Sequence, residues 1–357
     1  MRVASWVVRR PDQPMVREER DESAGPGEVL VRVAGCGVCH TDLGFYYDGV
    51  PTRRPFPLTL GHEVSGTVVE AGAGAESWIG SDVVVPAVIP CGRCAACAAG
   101  RGSICPKQVF PGSDVHGGFG THLKVPARGL CQVPDLGDRR VNPAGLELWS
   151  LAVVADAAST AYQAVVRSGL AAGDLAVFVG VGGVGGFGAQ IAASLGARVA
   201  AVDVSQDRLD MIATRGAALL LRSDRVEGRE LRKAIQAFGK DHDIPTWRHR
   251  IFETSGTPAG QIAAFGLLGP GSHLSVVGYT PKAVELRLSN LMAFDAAAQG
   301  NWGCLPEHFP AVVDLVLSGR VAVSPFIERR PLDSLNRTFE DLHARPALRR
   351  VILVPEG

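Results

Sequence analysis

The sequence predicts two domains of different texture: a β-rich domain over residues 1–150, followed by an α/β domain with a doubly wound parallel sheet from residue 151. Three observations carry this. The chain has 357 residues, the length of about two domains. Up to residue 150, short β-branched runs are broken by Gly and Pro. Beyond it, strand-like and helix-like segments alternate, the pattern of a parallel sheet with helices on both faces.

In the first region the clearest strands are 28–34, 64–70 and 82–88. Residues 150–168 then run without Gly before Gly169 and without Pro, rich in Ala and Val, and predict one long helix. Strands follow at 175–179, 199–202, 217–221, 251–254 and 273–277. Helices are expected between them, from Val184, from Gln206, over 228–239 and over 260–268. Two more helical segments, 306–318 and 332–344, precede a closing strand at 351–354.

Composition narrows the function classes. Lys plus Arg is 36 and Asp plus Glu is 36, so the formal charge is zero, which argues against nucleic acid as a partner. Hydrophobic residues make up 46% and charged residues 20%, a globular and not a disordered balance. Residues 175–196 lack charge, but seven glycines make a membrane span an odd reading. No apolar segment resembling a secretory signal follows Met1, so a cytoplasmic location is expected. Four of the eight cysteines fall within fifteen residues, which favours metal binding over disulfides.

The strand at 175–179 runs into Gly180-Val181-Gly182-Gly183-Val184-Gly185, a G-x-G-x-x-G turn between strand and helix. Gly180 permits the tight turn, Gly182 lets a pyrophosphate approach the backbone and Gly185 lets helix and strand pack. The helix start offers free N–H groups to the phosphates. Asp203 ends the next strand, where a carboxylate accepts from the ribose hydroxyls and repels a 2′-phosphate, favouring NAD over NADP. Arg208 lies within reach of the same ribose. The plainer reading is a glycine-rich packing turn followed by a surface acid.

Cys91, Cys94, Cys97 and Cys105 can close a tetrahedral shell around one zinc ion, a structural site with no open position. Cys39, in G-V-C-H-T-D at 37–42, and His62, in G-H-E at 61–63, each supply one further zinc-type ligand. Either alone would more often be a packed core residue. Cys36, Cys131 and Cys304 read as small buried hydrophobes.

Over essentially its full length the chain resembles the zinc-containing medium-chain alcohol dehydrogenases, through those two motifs, the four-cysteine loop and the glycine turn. The resemblance implies a GroES-like catalytic domain at 1–150 completed by 300–357, a Rossmann domain at 151–299, and a homotetramer or dimer. It implies a catalytic zinc on Cys39 and His62, with Glu63 a nearby carboxylate. Aligning on Thr160-Ala161-Tyr162 puts Asp156 where many members have a third ligand, Cys; the other reading is that Asp156 only caps or bridges. Thr41 would take the proton of the alcohol, Asp42 would support the ligands and His40 would face the cofactor pyrophosphate. Gly278 would lie beside the nicotinamide, and Arg350 at the pyrophosphate. Gly44 stands where several members end a proton relay with His, which leaves the proton's exit path open.

Segments 37–50, 153–157, 287–294 and 300–307 resemble, more narrowly, members that oxidise the ring alcohol of a cyclohexenyl coenzyme A thioester. Arg53 and Arg54 could then meet coenzyme A phosphates, although solvated surface arginines are the plainer reading. Three alternatives stand beside this: oxidation of a plainer alcohol or polyol, added hydratase activity on the enone, and a non-catalytic NADH-binding sensor.

Overall fold

The computed structural model describes residues 1–356. They form two compact units: 1–159 with 303–319 and 326–356, and 160–302 with 320–325. The first unit therefore runs nine residues beyond the expected limit at 150, and 320–325 belongs to the second unit rather than the first. The physical reason for the later limit is the segment Leu148–Val154, whose residues Ser150 to Val154 are buried and whose neighbours are strands of the first unit.

Among the described residues, the first unit carries a sheet in the order Ile327–Pro331, Arg350–Val354, Glu28–Gly37, Glu63–Ala71, Asp82–Val85 and Cys131–Gln132, with His122–Pro126 also pairing to Glu28–Gly37. Arg2–Val7 and Val16–Asp21 make a separate antiparallel pair. The core is aliphatic, built on Val29, Val31, Leu58, Leu60, Val64 and Val83, with Phe119 and Phe339 packed edge to face. Strand 82–88 was expected to continue, but it ends at Val85, because Pro86 has no N–H to extend the ladder.

The second unit has six strands among the described residues, in the order 217–222, 198–203, 175–179, 249–253, 273–276 and 297–300, all parallel. The order reverses at 175–179, and Leu175 to Val179 are all buried, as a strand covered on both faces requires. Helices Gly183–Ser194, Gln206–Ala213, Gly228–Asp241 and Pro258–Gly266 connect the strands. Strand 297–300 has little β-branched content and is not evident from sequence pattern. Among the described residues no helix is long and apolar enough to cross a membrane.

The long helix expected over 150–168 is two pieces: a 3₁₀ segment Leu148–Val154 and an α-helix Ala157–Arg167. An unbroken Ala/Val pattern cannot reveal this. The joint is pinned by tertiary contact, where the Ala87 N–H donates to Ala155 C=O at 3.1 Å. Asp156 sits in that joint.

Candidate active site and cofactor turn

Cys39 precedes the helix His40–Tyr46 in extended conformation. Asp42, fully buried, accepts from Cys39 N–H at 2.9 Å and from Gly61 N–H at 3.1 Å, and lies 3.3 Å from His62 Nδ1. One carboxylate thus ties the two motifs together. Gly61 has φ +97°, and a Cβ there would fall 2.8 Å from Cys36 Sγ, so only glycine fits.

Cys39, His62, Glu63 and Asp156 offer donor atoms that all lie within 4.8 Å of one another. Asp156 Oδ2 is 3.9 Å from Cys39 Sγ and 3.6 Å from His62 Nε2. Ligands on a tetrahedral zinc with bonds of 2.0–2.3 Å stand about 3.5 Å apart, so the spacing fits the ion. His62 is 1% exposed; its Nδ1 faces the Asp42 carboxylate, while its Nε2 points among Cys39 and Asp156, where a metal ion would meet it. The Thr41 hydroxyl lies 3.6 Å from Cys39 Sγ and is half-buried, while His40 is exposed.

Glu63 is buried and paired in two contacts with Arg350, whose Nε donates at 3.0 Å. Arg350 was expected at a pyrophosphate; the structure places its guanidinium on Glu63. Burial raises the Glu63 carboxyl above its ordinary range, and the Arg350 charge opposes that rise. The two residues lie 287 positions apart, so no local spacing signals their pairing. Burial also pushes the Cys304 thiol up, with the nearby Asp156 charge adding to it.

Cys91, Cys94, Cys97 and Cys105 form a second donor group within 4.8 Å. Cys94 Sγ is 3.5 Å from Cys97 Sγ and 3.6 Å from Cys105 Sγ. Backbone N–H groups of Cys91 and Lys107 donate to Cys105 Sγ at 3.4 and 3.3 Å. A backbone donor at Arg93 draws the Cys91 thiol down to about 6, whereas burial and the neighbouring thiols push Cys97 up to about 11. Four adjacent thiols cannot all ionise without a cation among them, and four sulfurs with no open position suit zinc.

In the second unit, Gly180 has φ +92° and abuts Ser255, where a Cβ would meet Cα at 2.6 Å. A Cβ on Gly185 would fall 1.9 Å from Gly180 C=O. On Gly182 it would meet only the Arg208 guanidinium, at 3.7 Å, leaving open space over the start of the helix at Gly183. The tight turn at Gly180 and the close packing at Gly185 follow the spacing, and Gly182 is left uncrowded. Asp203 accepts from Val181 N–H at 2.8 Å and stands 3.9 Å from Arg208. A Cβ on Gly278 would lie 2.3 Å from Gly256 N, so its backbone packs tightly at the end of strand 273–276.

Glu253 and Thr254 belong to this end of the sheet and were not singled out from sequence. Thr254 Oγ1 donates to Gly180 C=O at 2.6 Å, and Glu253 Oε1 accepts from Ser255 N–H, Ser255 Oγ and Gly256 N–H. Burial raises the Glu253 carboxyl. The available signal was an acid directly after the apolar strand residues Ile251 and Phe252.

Comparison with known proteins places these features. Residues 25–135 match the alcohol dehydrogenase GroES-like domain family, and residues 183–318 match the zinc-binding dehydrogenase family. An alcohol dehydrogenase of Geobacillus stearothermophilus is 28% identical over 343 residues, covering 95% of this chain and 94% of its own. A 2-dehydro-3-deoxy-L-galactonate 5-dehydrogenase of Pseudoalteromonas atlantica is 29% identical, covering 90% and 89%. The crystal structure of an alcohol dehydrogenase from Thermotoga maritima superposes with a TM-score of 0.86 at 28% identity, covering 100% of each chain.

Proposed function

This chain belongs to the zinc-containing medium-chain alcohol dehydrogenases, enzymes that act on CH–OH groups with NAD(P), and from that premise we propose that it oxidises a secondary alcohol by hydride transfer to NAD. The observation that carries the reading is the set of buried Cys39 and His62 with half-buried Asp156 beside the Thr41 hydroxyl. Three ligands leave one position of a tetrahedral ion for substrate, as a catalytic site needs. Bound there, zinc supplies Lewis-acid polarisation of the alcohol oxygen, while NAD supplies the hydride acceptor.

The chain's own residues do the rest. Thr41, half-buried, would take the hydroxyl proton while releasing its own toward solvent. Asp42 fixes the backbone of both ligand motifs and orients the His62 ring. Asp156 would supply an oxygen donor in place of a thiolate, which would donate less charge and leave a bound zinc ion a stronger acid. Gly182 leaves its turn open to a pyrophosphate, and the buried Asp203 carboxylate favours NAD by repelling a 2′-phosphate.

For the substrate we propose 6-hydroxycyclohex-1-ene-1-carbonyl-CoA, oxidised to the conjugated 6-oxo enone of anaerobic benzoyl-CoA degradation. Support comes from segments 37–50, 153–157, 287–294 and 300–307, and from the exposed Arg53 and Arg54 as partners for coenzyme A phosphates. A plainer alcohol or polyol is the second reading, favoured by the names of the relatives. Added hydration of the enone is the third, motivated by Asp156 and Gly44. The site of action would be cytoplasmic and the enzyme a homo-oligomer. The test is NADH formation with the thioester beside cyclohexenol, benzyl alcohol and ethanol. Turnover of the thioester alone supports the proposal; equal or better turnover of the simple alcohols removes the substrate and leaves the reaction class. A hydrated product by mass spectrometry would establish the third reading.

A further inference from the structure

Asp203 is 4% exposed in its side chain, and both of its oxygens hold backbone. Oδ2 accepts from Val181 N–H, in the middle of the glycine turn, at 2.8 Å. Oδ1 accepts from Ser205 N–H, at the entry to helix 206–213, at 2.9 Å. The turn has no cap of its own, because its N-cap residue is Gly182. The backbone of the same strand reinforces the link, with Gly180 N–H donating to Val202 C=O at 2.7 Å. A carboxylate has about four acceptor positions. Two are taken by these N–H groups, and the remainder, beside the Arg208 guanidinium 3.9 Å from Oδ1, is what ribose hydroxyls would use.

We propose that Asp203 is a positioning residue for the pyrophosphate turn as well as the reader of the adenosine ribose, so that one carboxylate couples the two recognitions. This rests on the dinucleotide reading above. The ribose role alone would make Asp203 matter only to ligands that carry the hydroxyls. The positioning role makes it matter to the phosphates too, because the Val181 peptide loses its charge-assisted partner and the turn loses its fixed shape.

Two ligands separate the roles: ADP, and 2′,3′-dideoxy-ADP, which keeps the diphosphate and lacks both hydroxyls. Their affinities are measured by calorimetry on the full zinc-loaded chain and on D203N. The expected result is that D203N weakens 2′,3′-dideoxy-ADP by about tenfold or more, the effect of losing a hydrogen bond to a charged group. It also raises hydrogen exchange over 180–186 while the rest of the chain keeps its protection. Unchanged affinity for 2′,3′-dideoxy-ADP, with ADP reduced to that same value, overturns the proposal. If D203N does not fold, D203S keeps a hydroxyl acceptor and carries the same comparison. If the unaltered chain binds neither ligand, the dinucleotide reading falls and the coupling falls with it.

Discussion

The two donor clusters of the first unit are both compact and have opposite origins. In each, the donor atoms lie within 4.8 Å of one another. The four-cysteine cluster comes from residues 91–105, where a one-turn helix at Ala95–Ala98 and a 3₁₀ turn at Gly102–Ile104 fold the chain back on itself. The other cluster gathers residues 39, 62, 63 and 156 from a helix start, the edge of a strand and a joint after a 3₁₀ segment. Local construction yields a closed sulfur shell that holds a loop together. Long-range construction yields mixed sulfur, nitrogen and oxygen donors. The difference teaches that a structural site can be written in one stretch, while a reactive site needs several elements to converge.

The sharpest break of that comparison is Cys39→Ser. It is expected to reduce turnover by about 10³-fold or more, since loss of Lewis-acid assistance removes several kcal/mol of transition-state stabilisation. Metal analysis should then fall from roughly two zinc ions per chain to roughly one, with thermal stability little changed. Retention of both ions with full activity would remove Cys39 from the site.

Cys105→Ser is the mirror experiment. Cys105 is the fully buried member of its cluster and accepts two backbone N–H bonds. We expect the other ion to be lost and the melting temperature to fall by roughly 5 °C or more, because a structural ion contributes directly to folding. Activity per folded chain should survive. An unchanged melting curve would show that the loop is held without metal.

Asp156→Asn probes the one oxygen donor. Zinc affinity of the catalytic cluster should drop at least about tenfold, read by competition with a chelator, while the cysteine cluster keeps its ion. Asp156→Cys should retain the metal. Equal affinity in D156N would assign Asp156 to a capping role.

The smallest effect expected is a pH dependence. Burial, with help from Arg20 and Arg54, lowers His116 from 6.5 to about 4, and its Nδ1 accepts from Thr59 N–H at 3.1 Å. The unfolded chain therefore binds this proton more readily than the folded one. The stability contribution is complete above the unfolded value and is lost as pH falls from about 6.5 toward about 4. Melting curves across that window should show a smaller acid loss in H116Q than in the unaltered chain. Identical curves would show that His116 carries none of it.

How much was legible in sequence follows the same division. The parallel strands of the second unit were readable because apolar runs such as 175–179, punctuated by glycine turns, are local signals. Strand 297–300, Ala-Ala-Gln-Gly, was not, because nothing in its composition favours an extended chain over a helix. The cysteine spacing was legible as a cluster. Cys39 and His62 gained meaning only from the resemblance, since each alone reads as core.

By itself the sequence determined the glycine turn, the alternation of strands and helices from residue 175 to the strand at 273–276, and the four-cysteine cluster. In each, the residues that must meet are neighbours in the chain, so spacing alone fixes their geometry. Only the tertiary structure decided that the Ala/Val run breaks at Asp156, that Arg350 turns to Glu63, and that Asp203 grips the Val181 peptide. Those outcomes depend on which buried groups lack partners once distant elements pack, and a buried charge or N–H takes the partner that packing brings to it.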